Sequence, residues 1–242
     1  MHVRIILVEP REAGNVGAAA RAMKNFGITE LVIVGPRPPR IDSVSEWWAK
    51  GAGDLVQAAR HVGSLEEALR DVHLSIATTA VRGRQVYEQL TPAEAAAVAA
   101  ETLSEEHTLA VVFGREEWGL RGSEIALCQR TASIPTSADF PTMNLAQAVS
   151  IFCYELRRSV RPTAKRREPA IGELTHLLNS RTRALLMEVG FFGKNAPDRM
   201  CAELQSLAGR AGLTTREASL LLSFVAHVER ALHAKHADSS DS

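Results

Sequence analysis

Short apolar runs alternate with stretches of helical periodicity from the start of the chain to about residue 159. Five of these runs are strand candidates, and in chain order they read RIILVE, LVIVG, LSIATT, LAVVFG and ASIP. Parallel strands need long crossover connections, which are usually helices. The alternation therefore predicts an α/β fold with a parallel sheet and helices on both of its faces.

Two stretches between these runs carry signals for the start of a helix. Ser64 with Glu67 forms a capping-box pattern, and Thr91 with Glu94 forms another in which Pro92 takes the first helical position. In a capping box each residue satisfies a backbone amide of the other, so the pattern marks a helix N-terminus. Helices are therefore predicted to begin after Ser64 and after Thr91.

The segment NVGAAARAMKNFG, residues 15–27, follows the first predicted strand and has the pattern of a helix. Its apolar residues recur at helical spacing, at Ala19, Ala22, Met23 and Phe26. This spacing places Arg21 outside the buried stripe, in the first turns of the helix. Gly27 ends the pattern, as glycine commonly does at a helix C-terminus.

A long helix is predicted to begin near Asn144, because an apolar face follows it: Leu145, Ala148, Val149, Phe152 and Leu156. The sheet domain is thus expected to span residues 1–160. Residues 161–170 are polar and basic and contain two prolines, which predicts a linker.

Residues 171–236 have the pattern of a small all-helical extension. Pro197 is expected to start its second helix, and Thr214 with Glu217 forms a capping box that starts the third. Residues 237–242 contain nothing to bury, so a disordered tail is expected there.

The composition is that of a globular protein of 242 residues, 45% of them hydrophobic. No apolar stretch reaches the roughly 18 residues that a membrane helix needs, and a secretory signal is missing, so a cytoplasmic location without membrane contact is expected. Cys128, Cys153 and Cys201 lack a metal-binding spacing and are predicted to be buried thiols.

The 28 basic residues balance 28 acidic ones, so contact with nucleic acid must come from local patches. Basic residues are concentrated in predicted loops and around the linker: Arg37, Arg40, Arg82, Arg84, Arg157, Arg158, Arg161, Lys165, Arg166 and Arg167. A solvated surface is the ordinary interpretation of such runs. His233 and His236 are likewise more simply incidental than a metal pair, and no metal site is predicted.

Three segments follow predicted strands, at the place where open α/β sheets bind ligands. The first is residues 15–27, in which Gly17 and the alanines allow a ligand to approach the backbone closely. The second is FGREEWGL, Phe113–Leu120, and the third is IPTSADFPTMNLAQAV, Ile134–Val149. Each alone has an ordinary interpretation as helix packing, a turn or a helix cap. Their order after successive strands indicates one common site.

Together the three segments resemble motifs 1, 2 and 3 of the SPOUT methyltransferases, in the TrmH-like branch that methylates ribose 2′-hydroxyls of RNA. The similarity runs over residues 3–160, and it is greatest to tRNA methyltransferases that act on nucleotide 32 of the anticodon loop. It implies a C-terminal trefoil knot in the sheet domain, S-adenosylmethionine as the cofactor, a homodimer and tRNA as the partner.

Methyl transfer from a sulfonium is an in-line displacement, so the protein supplies positioning, a dry pocket and help with the acceptor's proton. None of the three segments contains a histidine. The resemblance gives the catalytic role to Arg21. Because a guanidinium is effectively always protonated, we expect Arg21 to hold a phosphate and stabilise the developing alkoxide rather than to act as a base.

The resemblance places three more polar residues in the site. Asn15 and Asn144 would orient ribose or phosphate through hydrogen bonds, and Glu116 would brace Arg21 or the loop around it. For the cofactor, the resemblance points to Thr78, Thr79, Ala80, Gly114, Ile134, Pro141, Thr142 and Met143. Thr142 stands where many family members have serine, and it keeps a hydroxyl.

Other functions stay open from the sequence. The main alternative is the same chemistry on another RNA, such as ribosomal RNA. A Rossmann-type dinucleotide enzyme is disfavoured because the G-x-G-x-x-G pattern is missing. A non-catalytic RNA-binding module is disfavoured by the presence of all four polar residues of the site.

Overall fold

The computed structural model describes residues 1–35, 47–80, 89–159, 169–192 and 197–240. Within these ranges seven strands form one sheet, in the order β3-β2-β1-β6-β4-β7-β5. Every neighbouring pair is parallel. The strands are β1 (His2–Val8), β2 (Glu30–Val34), β3 (Arg60–Val62), β4 (Leu74–Thr78), β5 (Gln89–Leu90), β6 (Thr108–Phe113) and β7 (Arg130–Ala132).

The parallel sheet and its five predicted strands are confirmed, with two differences. The strand expected at ASIP lies earlier, at Arg130–Ala132. Strands β3 and β5 were not predicted, since they have only three and two residues and such lengths give no periodic signal.

Helices connect the strands and continue beyond the sheet. They are α1 (Ala13–Asn25), α2 (Gly53–Gln57), α3 (Leu65–Leu69), α4 (Pro92–Thr102), α5 (Gly122–Ala126), α6 (Leu145–Arg158), α7 (Gly172–Glu188), α8 (Pro197–Ala211) and α9 (Thr215–Ser240). The end of α1 is as predicted, because Gly27 adopts a φ of 73° just after it.

Helix starts follow the predicted capping residues. Thr91 and Glu94 form a complete capping box at α4. The hydroxyl of Ser64 accepts a hydrogen bond from the amide of Glu67 at α3, but the Glu67 carboxylate turns to the amide of Gly63 instead. Only half of that predicted box is therefore formed.

The core lies on both faces of the sheet. In β1, Ile5 and Leu7 join one apolar cluster with α1, α4 and α6. Their neighbours Ile6 and Val8 join a second cluster with α3. This alternation follows from the opposite directions of successive side chains in a strand, and it confirms helices on both faces.

The helical extension packs directly against the sheet domain. Gly172 donates its amide to the carbonyl of Val72 over 2.5 Å, and a Cβ at Gly172 would meet the carbonyl oxygen of Leu69 at 2.2 Å. Arg130 donates from Nη2 to the carbonyl of Arg210 over 2.6 Å. These close contacts fix the extension beside β4 and β7.

The C-terminal end differs from the expectation. Helix α9 runs to Ser240, so residues 237–240 are helical rather than part of a disordered tail. No glycine or proline follows Thr215, and nothing in the sequence therefore stops the helix. Among the helices that the structure describes, none combines the length and apolar character required to cross a bilayer.

Candidate active site

A cavity of about 330 Å³ lies at the carboxyl ends of β4, β6 and β7. All eight predicted cofactor residues line it: Thr78, Thr79, Ala80, Gly114, Ile134, Pro141, Thr142 and Met143. Phe113 and Phe152 also line it, and their rings meet edge to face with centroids 5.6 Å apart. Its volume falls in the range of small-molecule pockets, and most of its lining surface is apolar.

Glu116, Asn15 and Asn144 form a chain of hydrogen bonds beside this cavity. The Nδ2 of Asn15 donates to Oε1 of Glu116 over 2.9 Å, and the Nδ2 of Asn144 donates to Oδ1 of Asn15 over 2.9 Å. Glu116 lines the cavity itself, and Asn144 lies between two lining residues, Met143 and Leu145. Three residues predicted to share a site are thus in contact.

Asn144 also caps helix α6. Its Oδ1 accepts hydrogen bonds from the amides of Ala146 at 2.9 Å and Gln147 at 3.4 Å. The ordinary interpretation of this residue as an N-cap is therefore correct, and it coexists with the contact to Asn15. Each of the two asparagine amides uses one N–H in the chain, and each has a second N–H to offer a ligand.

The carboxylate of Glu116 is held in its ionised form. Partial burial raises its pKa, but hydrogen bonds from Asn15 and from the amides of Arg11 and Glu12 outweigh burial, and the pKa lies below its usual value. Glu116 therefore holds the start of α1 through Asn15 and the two amides that precede the helix. Among the residues that the structure describes, neither a hydrogen bond nor an ion pair joins Glu116 to Arg21.

Arg115 anchors the turn that carries Glu116, a role that no pattern in the sequence indicates. It is 6% exposed, and its guanidinium pairs with Glu9 at 2.8 Å and Glu124 at 2.9 Å. These two carboxylates raise the pKa of Arg115, and the hydrogen bond from Arg115 lowers the pKa of Glu9. Recognising this cluster requires the knowledge that β1 and β6 are neighbours, which no local pattern gives.

Glycine is required at two positions of the same turn. A Cβ on Gly114 would lie 2.1 Å from the carbonyl carbon of Gly119, so only glycine allows the turn to close. Gly119 itself has a φ of 62°, which side chains rarely adopt. The two glycines of FGREEWGL thus shape one wall of the cavity.

Arg21 lies apart from this chain, on the exposed side of α1. It is not among the residues that line the cavity, and within the described ranges its side chain has neither a hydrogen bond nor an ion pair. It is six positions after Asn15 in the helix, or about 9 Å along the axis. The structure brings Asn15, Glu116 and Asn144 together and leaves the Arg21 guanidinium available to a ligand.

The three cysteines and His233 are not among the residues that line the cavity. The three cysteines are buried and free, and burial raises the pKa of Cys128 and of Cys153 to about 12. His233 lies 3.1 Å from Glu188, and across the described part of the chain no group of three potential ligands would hold a metal ion.

Only two of the basic residues noted in the sequence lie in the described structure. Arg157 and Arg158 are in the last turn of α6, where Arg158 pairs with Glu155 at 2.9 Å. The remainder lie outside the described residues: Arg37, Arg40, Arg82, Arg84, Arg161, Lys165, Arg166 and Arg167.

Comparison with known proteins shows the family of the chain. The pattern of the SpoU rRNA Methylase family matches residues 2–154. The chain is 34% identical to TrmJ of Pseudomonas aeruginosa, a tRNA (cytidine/uridine/adenosine-2′-O-)-methyltransferase, over 98% of each chain. The crystal structure of TrmJ from Z. mobilis superposes with a TM-score of 0.80 at 30% identity, covering 95% of this chain and 100% of that one.

A more distant solved structure has the same fold. It is the SpoU methyltransferase AviRb of Streptomyces viridochromogenes in complex with AdoMet, with a TM-score of 0.50 at 20% identity, covering 65% of this chain and 60% of that one. The family pattern spans all seven strands and helix α1, together with the polar chain of Asn15, Glu116 and Asn144. This protein belongs to the SpoU rRNA methylase family.

Proposed function

We propose that the protein transfers a methyl group from S-adenosylmethionine to a ribose 2′-hydroxyl of tRNA, at nucleotide 32 of the anticodon loop. The observation that carries this proposal is the position of the Asn15, Glu116 and Asn144 chain on the rim of the cavity. The similarity to TrmJ, which extends over 98% of both chains, supports tRNA as the substrate.

The residues of the cavity suit S-adenosylmethionine. Ile134 and Met143 offer apolar walls for an adenosine, and the backbone around Thr78 and Gly114 offers polar groups at strand ends. When bound, the cofactor supplies an activated methyl group, and no metal is needed for its transfer. Eight residues would hold it: Thr78, Thr79, Ala80, Gly114, Ile134, Pro141, Thr142 and Met143.

The polar residues position the acceptor. Asn15 and Asn144 each direct a remaining N–H toward a ribose or phosphate oxygen, and Glu116 fixes both amides through Asn15. Arg21 holds a phosphate next to the target ribose and stabilises the negative charge that develops on its oxygen. The guanidinium acts while charged, because its proton is not lost in proteins.

The protein works as a homodimer with a trefoil knot in the third-motif segment, in the cytoplasm. The exposed position of Arg21, outside the cavity of its own chain, supports a dimer because a second subunit would complete the site. Analytical ultracentrifugation checks this point, and a monomer at the enzyme's working concentration would contradict it.

The experiment that tests the function is methylation of unmodified tRNA. Purified protein is incubated with tRNA transcripts and labelled S-adenosylmethionine, and the modified nucleotide is mapped by mass spectrometry. A ribose methyl at nucleotide 32 is the expected product. Label on ribosomal RNA fragments but not on tRNA would favour the alternative substrate, which the family description names.

The basic segment between the two parts is proposed to bind the tRNA backbone. Lys165, Arg166 and Arg167 are substituted together by serine, and weaker tRNA binding with a smaller dependence on salt is expected. Unchanged affinity would identify the segment as a plain linker.

A further inference from the structure

One large aromatic side chain beside the cavity has no role in the site described above. Trp118 is 76% exposed and lines the cavity mouth. Within the described ranges its indole stacks on no other ring. A tryptophan that leaves most of its surface in water next to a reaction site is unusual, since such area is normally buried.

The turn that carries Trp118 is rigid. Arg115 and Gly119 exchange backbone hydrogen bonds of 3.2 and 2.9 Å, and the buried guanidinium of Arg115 is tied to Glu9 and Glu124. The indole is therefore presented on a fixed base, so a partner that stacks on it loses little freedom in ordering the loop.

The acidic side chains of this turn are directed toward α1 and leave the indole as the outward group. Glu116 accepts from Asn15, and Glu117 pairs with Arg11 at 2.7 Å. Two carboxylates on a short turn repel a phosphate, whereas the flat face of an indole suits an uncharged aromatic ring. The surface fits a nucleobase better than the RNA backbone.

We infer that Trp118 is the platform on which the base attached to the methylated ribose stacks. This inference rests on the proposed function, because a ribose hydroxyl held beside Asn15 and Asn144 brings its own unpaired base within reach of the same turn. Aromatic side chains bind unpaired bases of RNA in this way, and they do so without distinguishing strongly between bases. Trp118 is thus a positioning residue that selects a nucleotide which is not base-paired.

The first test compares substitutions at Trp118. Trp118→Ala is expected to weaken binding of unmodified tRNA by about 5- to 100-fold, and Trp118→Phe to keep most of the affinity. The matched control is Trp47→Ala, which removes another tryptophan that is 63% exposed but does not line the cavity. It is expected to bind tRNA like the wild type. Equal losses in both alanine variants would overturn the inference.

Two other roles for Trp118 are separated by the same variants. If Trp118→Ala loses affinity for S-adenosylhomocysteine as much as for tRNA, the indole is a wall of the cofactor site. If the variant changes the oligomeric state, the indole belongs to a subunit contact. Either result would overturn the inference; unchanged oligomeric state and cofactor affinity within about twofold are expected.

The second test observes stacking directly. The chain has three tryptophans, so the double variant with Trp47→Phe and Trp48→Phe reports the fluorescence of Trp118 alone. An anticodon stem-loop RNA is expected to quench this fluorescence to saturation. The same RNA made abasic at the target nucleotide keeps every phosphate and is expected not to quench it. Equal quenching by both RNAs would show that no base stacks there.

The two proposals fail in different ways. If the wild type transfers no methyl group to any tRNA, the proposed function is wrong, and the quenching measurement still tests Trp118 because it requires binding alone. If transfer occurs and Trp118 stays unquenched, only the present inference is wrong.

Discussion

The side-chain nitrogen Nδ2 of Asn15 lies 2.9 Å from the carboxylate oxygen Oε1 of Glu116, although the two residues are 101 positions apart in the sequence. This contact joins the start of α1 to the turn after β6. It is possible because β1 and β6 are neighbours in a parallel sheet, so the segments that follow them emerge at the same edge. The two halves of the candidate site are therefore held in register by the sheet and joined by the hydrogen bonds that Glu116 accepts from Asn15 and from the amides of Arg11 and Glu12.

Glu116→Gln tests these hydrogen bonds. The amide keeps the shape of the side chain but replaces a charged acceptor of three hydrogen bonds by a neutral group with two donors of its own. We expect the free energy of unfolding to fall by about 1–3 kcal/mol, and turnover to fall by about 100-fold because Asn15 is no longer oriented. Urea unfolding and single-turnover methylation measure the two effects.

The neighbouring residue gives the control for this variant. Glu117 pairs with Arg11, and both side chains are exposed, so Glu117→Gln is expected to change stability by less than about 0.5 kcal/mol and to leave turnover near normal. A wild-type rate in Glu116→Gln would show that the hydrogen-bonded chain does not orient the acceptor.

Arg21→Ala separates catalysis from cofactor binding. Since Arg21 does not line the cavity, affinity for S-adenosylhomocysteine is expected to stay unchanged in calorimetry, while single-turnover methylation falls by about 10³-fold. Lys24→Ala is the matched control, one turn further along α1, where Lys24 pairs with Asp54 at 2.7 Å. A near-normal methylation rate in Arg21→Ala would remove Arg21 from the mechanism.

A pair of histidines at the other end of the sheet makes stability depend on pH. The rings of His73 and His107 stack with centroids 4.4 Å apart, and Nδ1 of His73 accepts a hydrogen bond from the amide of Thr108. Burial lowers the pKa of His73, the charge of His107 lowers it further, and Asp71 opposes them. Between this lowered pKa and the ordinary value of 6.5, the unfolded chain binds more protons than the folded one.

The stability of the folded protein is therefore expected to rise with pH through this range. The contribution of His73 to stability is fully present above about pH 6.5 and is lost as the pH falls from there toward the lowered pKa of the folded state. His73→Asn keeps an acceptor for Thr108 and removes the titration, so its unfolding free energy is expected to fall less between roughly pH 7.5 and 5.5. His61→Asn, at an exposed histidine of β3, is the control and should follow the wild type. Parallel curves for all three proteins would contradict the assignment.

The sequence, read together with its family resemblance, predicted more of the cavity than of its surroundings. The resemblance to the SPOUT methyltransferases named Thr78, Gly114 and Ile134, and all three line the cavity because a parallel sheet brings the ends of its strands together. Asn15 and Glu116 were expected to lie in the same site, but the hydrogen bond between them was not predicted. Whether these residues bind cofactor and ribose stays a prediction, which the variants above address.

Contacts between residues far apart in the sequence were not predicted. Arg115 reads as one charge in a charged turn, and its burial between Glu9 and Glu124 depends on strand order. The docking of the extension was also unpredicted, because Gly172 and Gly209 sit inside helical patterns where glycine has no local role. The structure shows why glycine is needed at both positions, because backbone carbonyl oxygens of the sheet domain lie against them.

Gly209→Ala tests that docking. A Cβ on Gly209 would lie 2.0 Å from the carbonyl oxygen of Gln129. This oxygen belongs to the backbone just before β7, so it has little room to move. Alanine is a better helix former than glycine, so an isolated helix α8 would gain stability from this change. We expect the opposite in the intact protein, a loss of about 1–3 kcal/mol as the extension is pushed away from the sheet domain.

Thermal unfolding and limited proteolysis measure this effect. The variant is expected to unfold at a lower temperature and to be cleaved faster between the two parts, because the contacts around Gly172 and Arg130 are weakened together. The control is Gly53→Ala, where a Cβ would meet no atom within 4 Å at the first residue of α2. If both variants are as stable as the wild type, the close contact between Gly209 of α8 and Gln129 does not contribute to the stability of the protein.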